Sequence, residues 1–221
     1  MDTPDFAAVD TSVNLAPKPM RGMVNAVLRG LQRAGPLSDD PHDFAPPWLL
    51  PRWTAAFGAE DALAIARMIV EEPATDLTLR DPAEAESLGA PLDATPLPGG
   101  TLRTALRGDI TGWSGFHEGQ WWVQDAAAAI PARLLHAKPG ETALDMCAAP
   151  GGKTFQLAAA GAKVTALDRS AGRLKRVTEG LVRMGLTAEV AMADAAQWSD
   201  PRTFDAVLLD LGLPGQDGLE V

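Results

Sequence analysis

The sequence predicts an α/β domain with a parallel sheet in its last part, preceded by a small α+β subdomain and a helical remnant. Four short apolar runs predict the strands of that sheet, at 141–146, 163–168, 189–194 and 204–210. Helical patterns that begin near Lys153 and span 171–184 separate the first three runs. Strands that alternate with helices in this way form parallel sheets with right-handed crossovers.

The first part of the chain contains one clear helical pattern. In residues 20–34, apolar side chains recur every three or four positions, as in an amphipathic helix, and Gly35-Pro36 ends the pattern. The next stretch, 35–52, is rich in proline and is predicted to be a linker. A single helix of this length is marginally stable by itself. We therefore expect residues 1–35 to dock on the next part or to be the remnant of a helical domain.

The middle part, residues 36–124, combines this linker with a small α+β subdomain. A helical pattern runs through 61–70 and breaks at Pro73. Segments 76–80 and 121–123 have short β patterns and are separated by Gly and Pro, which predicts a small sheet with long turns.

The last domain, 125–221, is expected to begin with a helix. Asp125 is a suitable N-cap for an alanine-rich run that reaches Leu135. Pro131 lies inside this run and should end or kink the helix, because proline lacks the backbone donor.

Composition excludes several classes of protein. With 221 residues, 46% hydrophobic and 22% charged, the chain is typical of globular proteins. The single cysteine, Cys147, allows no internal disulfide, and the amino terminus lacks a secretory pattern, so a cytoplasmic location is expected. No apolar run is long enough to span a membrane. The formal net charge of -10 means that any nucleic-acid contact must use local positive patches.

A loop of small residues follows the first predicted strand of the last domain. It reads Asp145-Met-Cys-Ala-Ala-Pro-Gly-Gly-Lys-Thr154 and opens a helix. Gly151 and Gly152 let the backbone approach a ligand closely, and the amides of a helix start favour a carboxylate or phosphate. The adjacent glycines do not match the spacing of the phosphate loop of ATP-binding proteins. The pattern favours an adenine-containing cofactor other than ATP.

Carboxylates end the next two predicted strands. Asp168 ends the second strand, where carboxylates of doubly wound folds accept hydrogen bonds from ribose hydroxyls. Asp194 ends the third strand and could meet the adenine edge. A strand-end aspartate can also simply cap the following turn, and this alternative stays open for both residues.

Three segments together resemble the RsmB/Sun-type S-adenosylmethionine-dependent RNA cytosine-C5 methyltransferases. They are LDMCAAPGGKTFQLA at 144–158, VTALDRSAGRLKRV at 164–177 and FDAVLLD at 204–210. Upstream, MVNAVLRGL at 23–31 resembles the end of the family's NusB-like helical domain, and GQWWVQDAAAAIPARLL at 119–135 the start of its catalytic domain. The resemblance implies an incomplete Rossmann-like class I methyltransferase domain at 125–221, a small RNA-binding subdomain within 36–124 and a NusB-like remnant at 1–35.

The resemblance also implies a cofactor, a substrate and a set of site residues. The cofactor is S-adenosylmethionine, and the reaction is methylation of cytosine C5 in 16S ribosomal RNA. The loop would cradle the methionine end of the cofactor, Asp168 would hold the ribose, Asp194 would lie by the adenine, and Asp210 would lie near the methyl-transfer centre. The implied cofactor-binding residues are Cys147, Ala148, Ala149, Pro150, Gly151, Gly152, Lys153, Asp168, Arg173, Asp194 and Asp210.

The chain departs from this family at the nucleophile. Cytosine C5 becomes reactive only after a cysteine thiolate adds to C6. In the family, the fourth-strand Asp is followed by Ala-Pro-Cys, whereas Asp210 is followed by Leu211-Gly-Leu-Pro214. Cys147 lies in the cofactor loop, where packing is its expected role. Both catalytic cysteines of the family, this nucleophile and a second one that assists release, are therefore expected to be missing. We interpret the chain as a truncated or fused product that binds cofactor and RNA weakly without turnover.

Other functions are also compatible with parts of the sequence. Residues 207–221 resemble the phosphoacceptor strand and loop of response-regulator receiver domains, in which Asp210 would be phosphorylated. This match is short and lacks the other receiver residues. A methyltransferase for another substrate, which needs no thiolate, and a non-catalytic cofactor- or RNA-binding fragment are the remaining alternatives. An unfinished parallel sheet would also leave its fourth strand open to self-association.

Basic and aromatic residues suggest where RNA could bind. Arg169, Lys175 and Arg176 are the RNA-binding candidates within a positive stretch at 163–185, although a solvated helix face would look the same. Arg183 belongs to the same stretch. Three tryptophans could stack on bases, but adjacent ones in a strand point to opposite faces, so at least one should be core; they are Trp113, Trp121 and Trp122. No metal site is expected, because the histidines lack carboxylates or thiols at ligand spacing; they are His42, His117 and His136.

Overall fold

The structure, a computed structural model, describes residues 4–35 and 38–209. The chain forms two compact units, residues 1–73 and 74–221. This division differs from the sequence-based boundaries after residues 35 and 124, because the helices of 50–68 group with the amino-terminal helices.

The first unit contains four α-helices in its described part. They are α1 (Asp5–Leu15), α2 (Arg21–Ala34), α3 (Leu50–Phe57) and α4 (Ala59–Met68). Helix α1 packs on α2, and α3 packs on α4. The helices predicted at 20–34 and 61–70 are confirmed as α2 and α4, whereas α1 was not predicted.

The predicted linker at 35–52 is too long, because α3 begins inside it. Pro51 occupies the first turn of α3. Backbone N–H groups in the first turn have no intrahelical acceptor, so proline loses no hydrogen bond there. A proline count alone does not separate a linker from a helix start. Residues 41–43 also form a short 3-10 turn, capped by Asp40, whose carboxylate accepts a hydrogen bond from the amide of His42.

The second unit begins with a four-stranded antiparallel sheet. Its strands are β1 (Thr75–Leu79), β2 (Ala94–Leu97), β3 (Thr101–Thr104) and β4 (Trp121–Val123), in the order β2-β3-β1-β4. Leu77 and Leu79 of β1 face a cluster that also contains Leu102, Trp121 and the short helix α5 (Ala85–Gly89). The small sheet predicted around 76–80 and 121–123 is confirmed.

A parallel sheet follows in the same unit. Its strands are β5 (Thr142–Met146), β6 (Lys163–Asp168), β7 (Glu189–Met192) and β8 (Ala206–Leu209), in the order β7-β6-β5-β8. Helices α6 (Ile130–Leu134), α7 (Gly152–Ala159) and α8 (Ala171–Met184) accompany it. The parallel α/β arrangement is confirmed. The third and fourth strands are shorter than predicted within the described residues.

The start of this domain differs from the prediction. The Asp125 carboxylate accepts hydrogen bonds from the amides of Ala127 and Ala128, at 2.8 and 3.1 Å, and so caps a turn. Helix α6 begins only at Ile130, with Pro131 in its first turn. The prediction that Pro131 ends or kinks a helix is wrong, because proline at a helix start loses no intrahelical hydrogen bond.

Adjacent tryptophans connect the two sheets of this unit. Trp121 is fully buried in the core of the antiparallel sheet. Trp122 is 4% exposed and packs with Phe155 of α7 and with α8. The two rings point to opposite faces, as expected for a strand, and both are core. Base stacking by this pair is therefore a wrong hypothesis, because neither ring reaches solvent.

Candidate cofactor site

The loop between β5 and α7 lies at the carboxyl edge of the parallel sheet. Gly151 has a φ of +117°, a conformation that L side chains rarely adopt, and a Cβ there would collide with the ring of Phe155. A Cβ on Gly152 would lie 3.0 Å from Cδ of Gln124. Gly151 is therefore required by its backbone conformation and by the Phe155 ring, and Gly152 is closely approached by the side chain of Gln124. Cys147, at the start of the loop, also has a positive φ, of 71°.

Asp168 fastens this loop to the end of β6. Its carboxylate accepts hydrogen bonds from the amide of Ala149 at 3.2 Å and from the amide of Ser170 at 2.9 Å. The guanidinium of Arg173 lies 3.4 Å from the same carboxylate and also donates to the carbonyl of Ala149. The Asp168 side chain is 2% exposed. The loop, Asp168 and Arg173 thus form one connected arrangement.

A second buried carboxylate lies beneath the loop. Asp145 accepts a 2.6 Å hydrogen bond from the hydroxyl of Thr154, in the first turn of α7. Burial raises the pKa of Asp145 to about 6, and the hydrogen bond from Thr154 opposes that rise. We did not select Asp145 as a site residue from the sequence. The available signal was a carboxylate inside an apolar strand, beside a loop of small residues.

Comparisons with known proteins bear on this loop directly. Residues 132–216 match the family model described as 16S rRNA methyltransferase RsmB/F. Ribosomal RNA small subunit methyltransferase B of Pseudomonas putida is 38% identical over 94% of this chain and 53% of its own length. The chain is a relative of the RsmB/F methyltransferases. The Vibrio vulnificus protein of the same name is 34% identical over 95% of this chain and 55% of its own. The chain thus spans about half the length of these curated relatives.

Solved structures of other proteins share the fold of this chain. A methyltransferase homologue from Pyrococcus horikoshii has a TM-score of 0.59 and 23% identity, over 72% of this chain and 58% of its own. NSun6 from the same organism, solved with SFG, has a TM-score of 0.58 and 17% identity, over 71% of this chain and 67% of its own. These likenesses confirm the Rossmann-like methyltransferase fold.

Asp194 lies at the same edge of the RsmB/F-like sheet as Asp168. Strand β7 ends at Met192, and the amide of Ala193 donates to the carbonyl of Asp168 at 3.2 Å. The Asp194 carboxylate is exposed and accepts a 3.1 Å hydrogen bond from the amide of Ala196. Its hydrogen bond is therefore the turn cap that we considered as the alternative.

Asp210 lies outside the described residues, as does the tail at 211–221. The strand that leads to it is described through Leu209, which pairs with Met146 of β5. The fourth strand of the RsmB/F-like sheet is therefore parallel to the strand that carries the loop. The predictions for Asp210, as methyl-transfer residue or as phosphoacceptor, are not addressed by the described part of the chain.

The basic stretch of the chain divides into exposed and inward-facing residues. Arg169, Lys175 and Arg176 are exposed, and Lys175 lies 3.7 Å from Glu179. Arg183 instead donates to the carbonyls of Phe116 and Trp121, at 2.7 and 2.9 Å. Its guanidinium also lies 4.3 Å from the centroid of the Phe116 ring. Arg183 is therefore removed from the surface charge that the sequence suggested, and burial lowers its pKa.

Two glutamines that the sequence analysis missed support the start of α7. The indole of Trp122 donates to Gln124 at 2.8 Å, and the Gln124 amide donates to Gln156 at 2.8 Å. Gln156 in turn donates to the carbonyl of Ala129 at 3.0 Å. These contacts join β4, the turn before α6 and α7. No sequence signal identifies them, because the partners are far apart in the chain.

The part of the chain that the structure describes contains neither a membrane-spanning helix nor a candidate metal cluster. No helix there is both long enough and apolar enough to cross a bilayer. Within residues 4–35 and 38–209, no three His, Cys, Asp or Glu side chains are grouped in a way that could hold a metal ion.

Proposed function

We propose that this chain binds S-adenosylmethionine and forms part of an enzyme that methylates cytosine C5 in 16S ribosomal RNA. The observation that carries the proposal is the loop of small residues around Gly151, in which the Ala149 amide donates to Asp168 and which lies inside the segment that matches the RsmB/F model. The names of the relatives support the ribosomal substrate.

The residues present fit such a cofactor. A Cβ at Gly151 would collide with the ring of Phe155, so the loop must keep glycine there to hold this close backbone path, and the amides at the start of α7 would donate hydrogen bonds to a carboxylate. Bound S-adenosylmethionine supplies an electrophilic methyl group on a sulfonium. We propose that the loop holds the methionine end, Asp168 the ribose and Asp194 the adenine side. The proposed contacts are Cys147, Ala148, Ala149, Pro150, Gly151, Gly152, Lys153, Asp168, Arg173, Asp194 and Asp210.

The proposed roles of the other segments follow the same relationship. Exposed Arg169, Lys175 and Arg176 would contact RNA phosphates. Residues 1–35 would be the remnant of a NusB-like domain, and 36–124 would include the RNA-binding subdomain. A ribosomal RNA substrate favours a cytoplasmic location.

We further propose that this chain does not methylate by itself. Attack on cytosine C6 needs a thiolate, and the one cysteine of these 221 residues is Cys147. That residue begins the cofactor loop, with a strained backbone conformation and a partly buried side chain. Its position suits the support of the loop and leaves the nucleophile to be supplied from outside these residues.

Calorimetry tests the cofactor site. The full chain should bind S-adenosylmethionine and S-adenosylhomocysteine, and Asp168→Asn should weaken binding about tenfold, the equivalent of about 1.4 kcal/mol. Gly22→Ala is the control, because nothing lies within 4 Å of a Cβ at that position. Absence of binding at millimolar ligand by a folded wild-type chain would contradict the proposal.

Transfer of labelled methyl groups tests the activity separately. The chain alone should leave 16S ribosomal RNA unlabelled even when calorimetry shows the cofactor bound. Incorporation into cytosine C5 would refute the statement about the nucleophile while leaving the cofactor site intact. Incorporation into a different substrate class would instead favour the alternative of a methyltransferase that needs no thiolate.

A further inference from the structure

A cavity of about 230 Å³ lies in the second compact unit, away from the cofactor loop. Strand β1 forms one side of it, and helices α6 and α7 with the residues that follow them form the other. None of residues 147–153 lines it, and neither does Asp168. Its polar lining includes Thr78, Arg80, Arg133 and His136. It is therefore a site distinct from the one proposed for the cofactor.

Thr78 is one of the residues that line this cavity, and its hydroxyl is unsatisfied. The residue is 3% exposed, and its Oγ1 is buried without a hydrogen bond to any described protein group. A buried polar group without a partner costs about 1–3 kcal/mol. The cross-strand neighbour Thr101 differs, because its hydroxyl accepts a 2.6 Å hydrogen bond from Arg133. Thr78 is thus a donor with no protein acceptor, at the wall of a cavity.

Two guanidinium groups line the same space. Arg80 donates to the carbonyl of Met184 at 2.9 Å, and Arg133 donates to the carbonyl of Pro98 and to Thr101. All of these acceptors are neutral. Within residues 4–35 and 38–209, no carboxylate forms an ion pair with either arginine. A guanidinium has five N–H donors, so both residues keep donors to spare.

The donors identify the class of ligand. Part-buried cations without a counter-ion favour an anion, and this is notable in a chain whose formal net charge is -10. Thr78 lies on β1 and Arg80 directly follows that strand, whereas Arg133 lies on α6, so their donors would approach a ligand from two sides of the cavity. A tetrahedral phosphate offers acceptor oxygens in several directions, whereas a carboxylate offers two oxygens in one plane. The volume accommodates a phosphate with part of an attached sugar.

We propose that this cavity binds a phosphate group, either inorganic phosphate or a phosphodiester of an RNA backbone. The hydroxyl of Thr78 and the unused N–H groups of Arg80 and Arg133 donate to its oxygens. His136, which is exposed at the rim, adds a further donor. The site does not depend on the proposed methyltransferase function, because it shares no residue with the cofactor loop.

Titration of the full chain with inorganic phosphate, followed by amide NMR at constant ionic strength, tests the proposal. Saturable shifts should centre on the cavity residues. Thr78→Val should weaken phosphate binding about tenfold without loss of stability, because it removes a hydroxyl that has no protein partner. Arg80→Gln should weaken it at least as much. Arg29→Gln, on exposed α2, removes the same charge far from the cavity in sequence and should leave the affinity unchanged.

Two further arms identify the source and the chemistry of the ligand. A short RNA whose binding is weakened by Thr78→Val identifies the backbone phosphodiester, whereas an effect on inorganic phosphate alone identifies the free ion. Malonate that binds as tightly as phosphate would overturn the choice of phosphate. The proposal also fails if Thr78→Val leaves phosphate affinity within twofold of wild type. Binding of S-adenosylhomocysteine, measured on the same variants, keeps this test separate from that of the cofactor site.

Discussion

Asp145 couples the stability of the fold to pH. Its side chain is buried beneath the cofactor loop, and burial raises its pKa from 3.8 to about 6. The folded chain therefore holds this proton more tightly than the unfolded chain does. The stability contributed by the protonated carboxyl is fully present below about pH 4 and is lost as pH rises through about 6. A carboxylate held by an ion pair shows the opposite pH dependence, because its contribution to stability is lost as pH falls.

Replacement of Asp145 by Asn should remove this pH dependence. A rise of about two pKa units corresponds to about 2–3 kcal/mol, so the wild type should lose stability on that order between pH 4 and pH 7 from this residue. The Asp145→Asn variant retains an acceptor for the Thr154 hydroxyl and should lose less stability than the wild type between pH 4 and pH 7. Urea unfolding at both pH values measures the difference. Asp39→Asn, at an exposed position, serves as control, and identical pH profiles for wild type and Asp145→Asn would contradict the expectation.

Asp76 is a buried carboxylate whose pKa is lowered, whereas that of Asp145 is raised. Arg103 donates two hydrogen bonds to it, at 2.7 and 2.8 Å, and the amide of Ala126 donates a third at 2.9 Å. The hydrogen bonds from Arg103 are the main reason why its pKa is lowered. The stability that this group contributes is therefore present above the unfolded pKa and is lost as pH falls through the lower folded value.

Arg103→Gln should leave the Asp76 carboxylate without its counter-charge. We expect a loss of about 1–3 kcal/mol at pH 7, because a buried acceptor loses its strongest donors, and a smaller loss at low pH, where Asp76 is protonated. Urea unfolding of wild type and variant measures both. Arg202→Gln is the control, since it breaks ion pairs with Glu189 and Asp200 in which the arginine is 48% exposed and which should therefore contribute less. Equal losses in the two variants would contradict the role of burial.

At the scale of elements, the spacing between α7 and α8 depends on one glycine. Phe155 of α7 lies against Gly180 of α8, where a Cβ would collide with its ring. The same ring lies against Gly151 of the cofactor loop and packs edge-on against Trp122, with ring centroids 5.7 Å apart. Phe155 therefore determines how closely α8, α7 and the loop approach one another.

Replacement of two glycines of α8 by alanine should change the stability of the fold in opposite directions. Gly180→Ala should destabilise the fold by about 1–3 kcal/mol, because overpacking forces Phe155 or the helix to move. A Cβ added at Gly172 would have no neighbouring atom within 4 Å. Gly172→Ala should therefore stabilise the fold by up to about 1 kcal/mol, because alanine has the higher helix propensity. Thermal unfolding of both variants measures the pair. Stabilisation by Gly180→Ala would show that the contact with Phe155 relaxes freely.

At the scale of the second unit, the end of α8 holds the antiparallel sheet against the parallel one. Arg183 donates to Phe116 and Trp121, and Arg80 donates back to the carbonyl of Met184. The turn before β4 approaches so closely that a Cβ on Gly119 would collide with the backbone of Arg183. The two sheets are thus joined by hydrogen bonds as well as by the ring of Trp122.

Arg183→Met should loosen the antiparallel sheet selectively. It keeps most of the side-chain volume but removes both hydrogen bonds and the contact of the charge with the Phe116 ring. We expect amide hydrogen exchange in β1 and β4 to become at least tenfold faster, while exchange in β5 and β6 changes less. Arg176→Met, on the exposed face of α8, is the control. Uniform acceleration in both sheets would contradict the idea of a local connection.

Self-association is a prediction for the whole molecule. Strands β7 and β8 are the outer strands of the described parallel sheet, and Val207 of β8 is 47% exposed. An apolar edge strand can pair with another chain. We expect sedimentation velocity to show association that grows with concentration and that Val207→Lys reduces. A monomer at all concentrations, for wild type as well as variant, would contradict the prediction.

Much of the second unit follows from local sequence. Strands β5 and β6 and helix α8 were predicted within one residue of their observed bounds, because apolar periodicity is a local signal. The loop between β5 and α7 was predicted for the same reason, since its glycines and the helix start are contiguous, whereas its binding of a cofactor stays a prediction. Helix α1 was missed because its apolar pattern is weak.

The sequence by itself determined the parallel α/β arrangement, the loop at 147–153 and the absence of a second cysteine. Only the tertiary structure decided that both Trp121 and Trp122 are buried, that Arg183 turns inward and that Asp168 holds the loop. It also decided which threonine lacks a partner, because Thr78 and Thr101 look alike in the sequence. The physical reason is that burial and hydrogen bonding depend on groups that are distant in the chain, whereas periodicity and turn chemistry depend on neighbours.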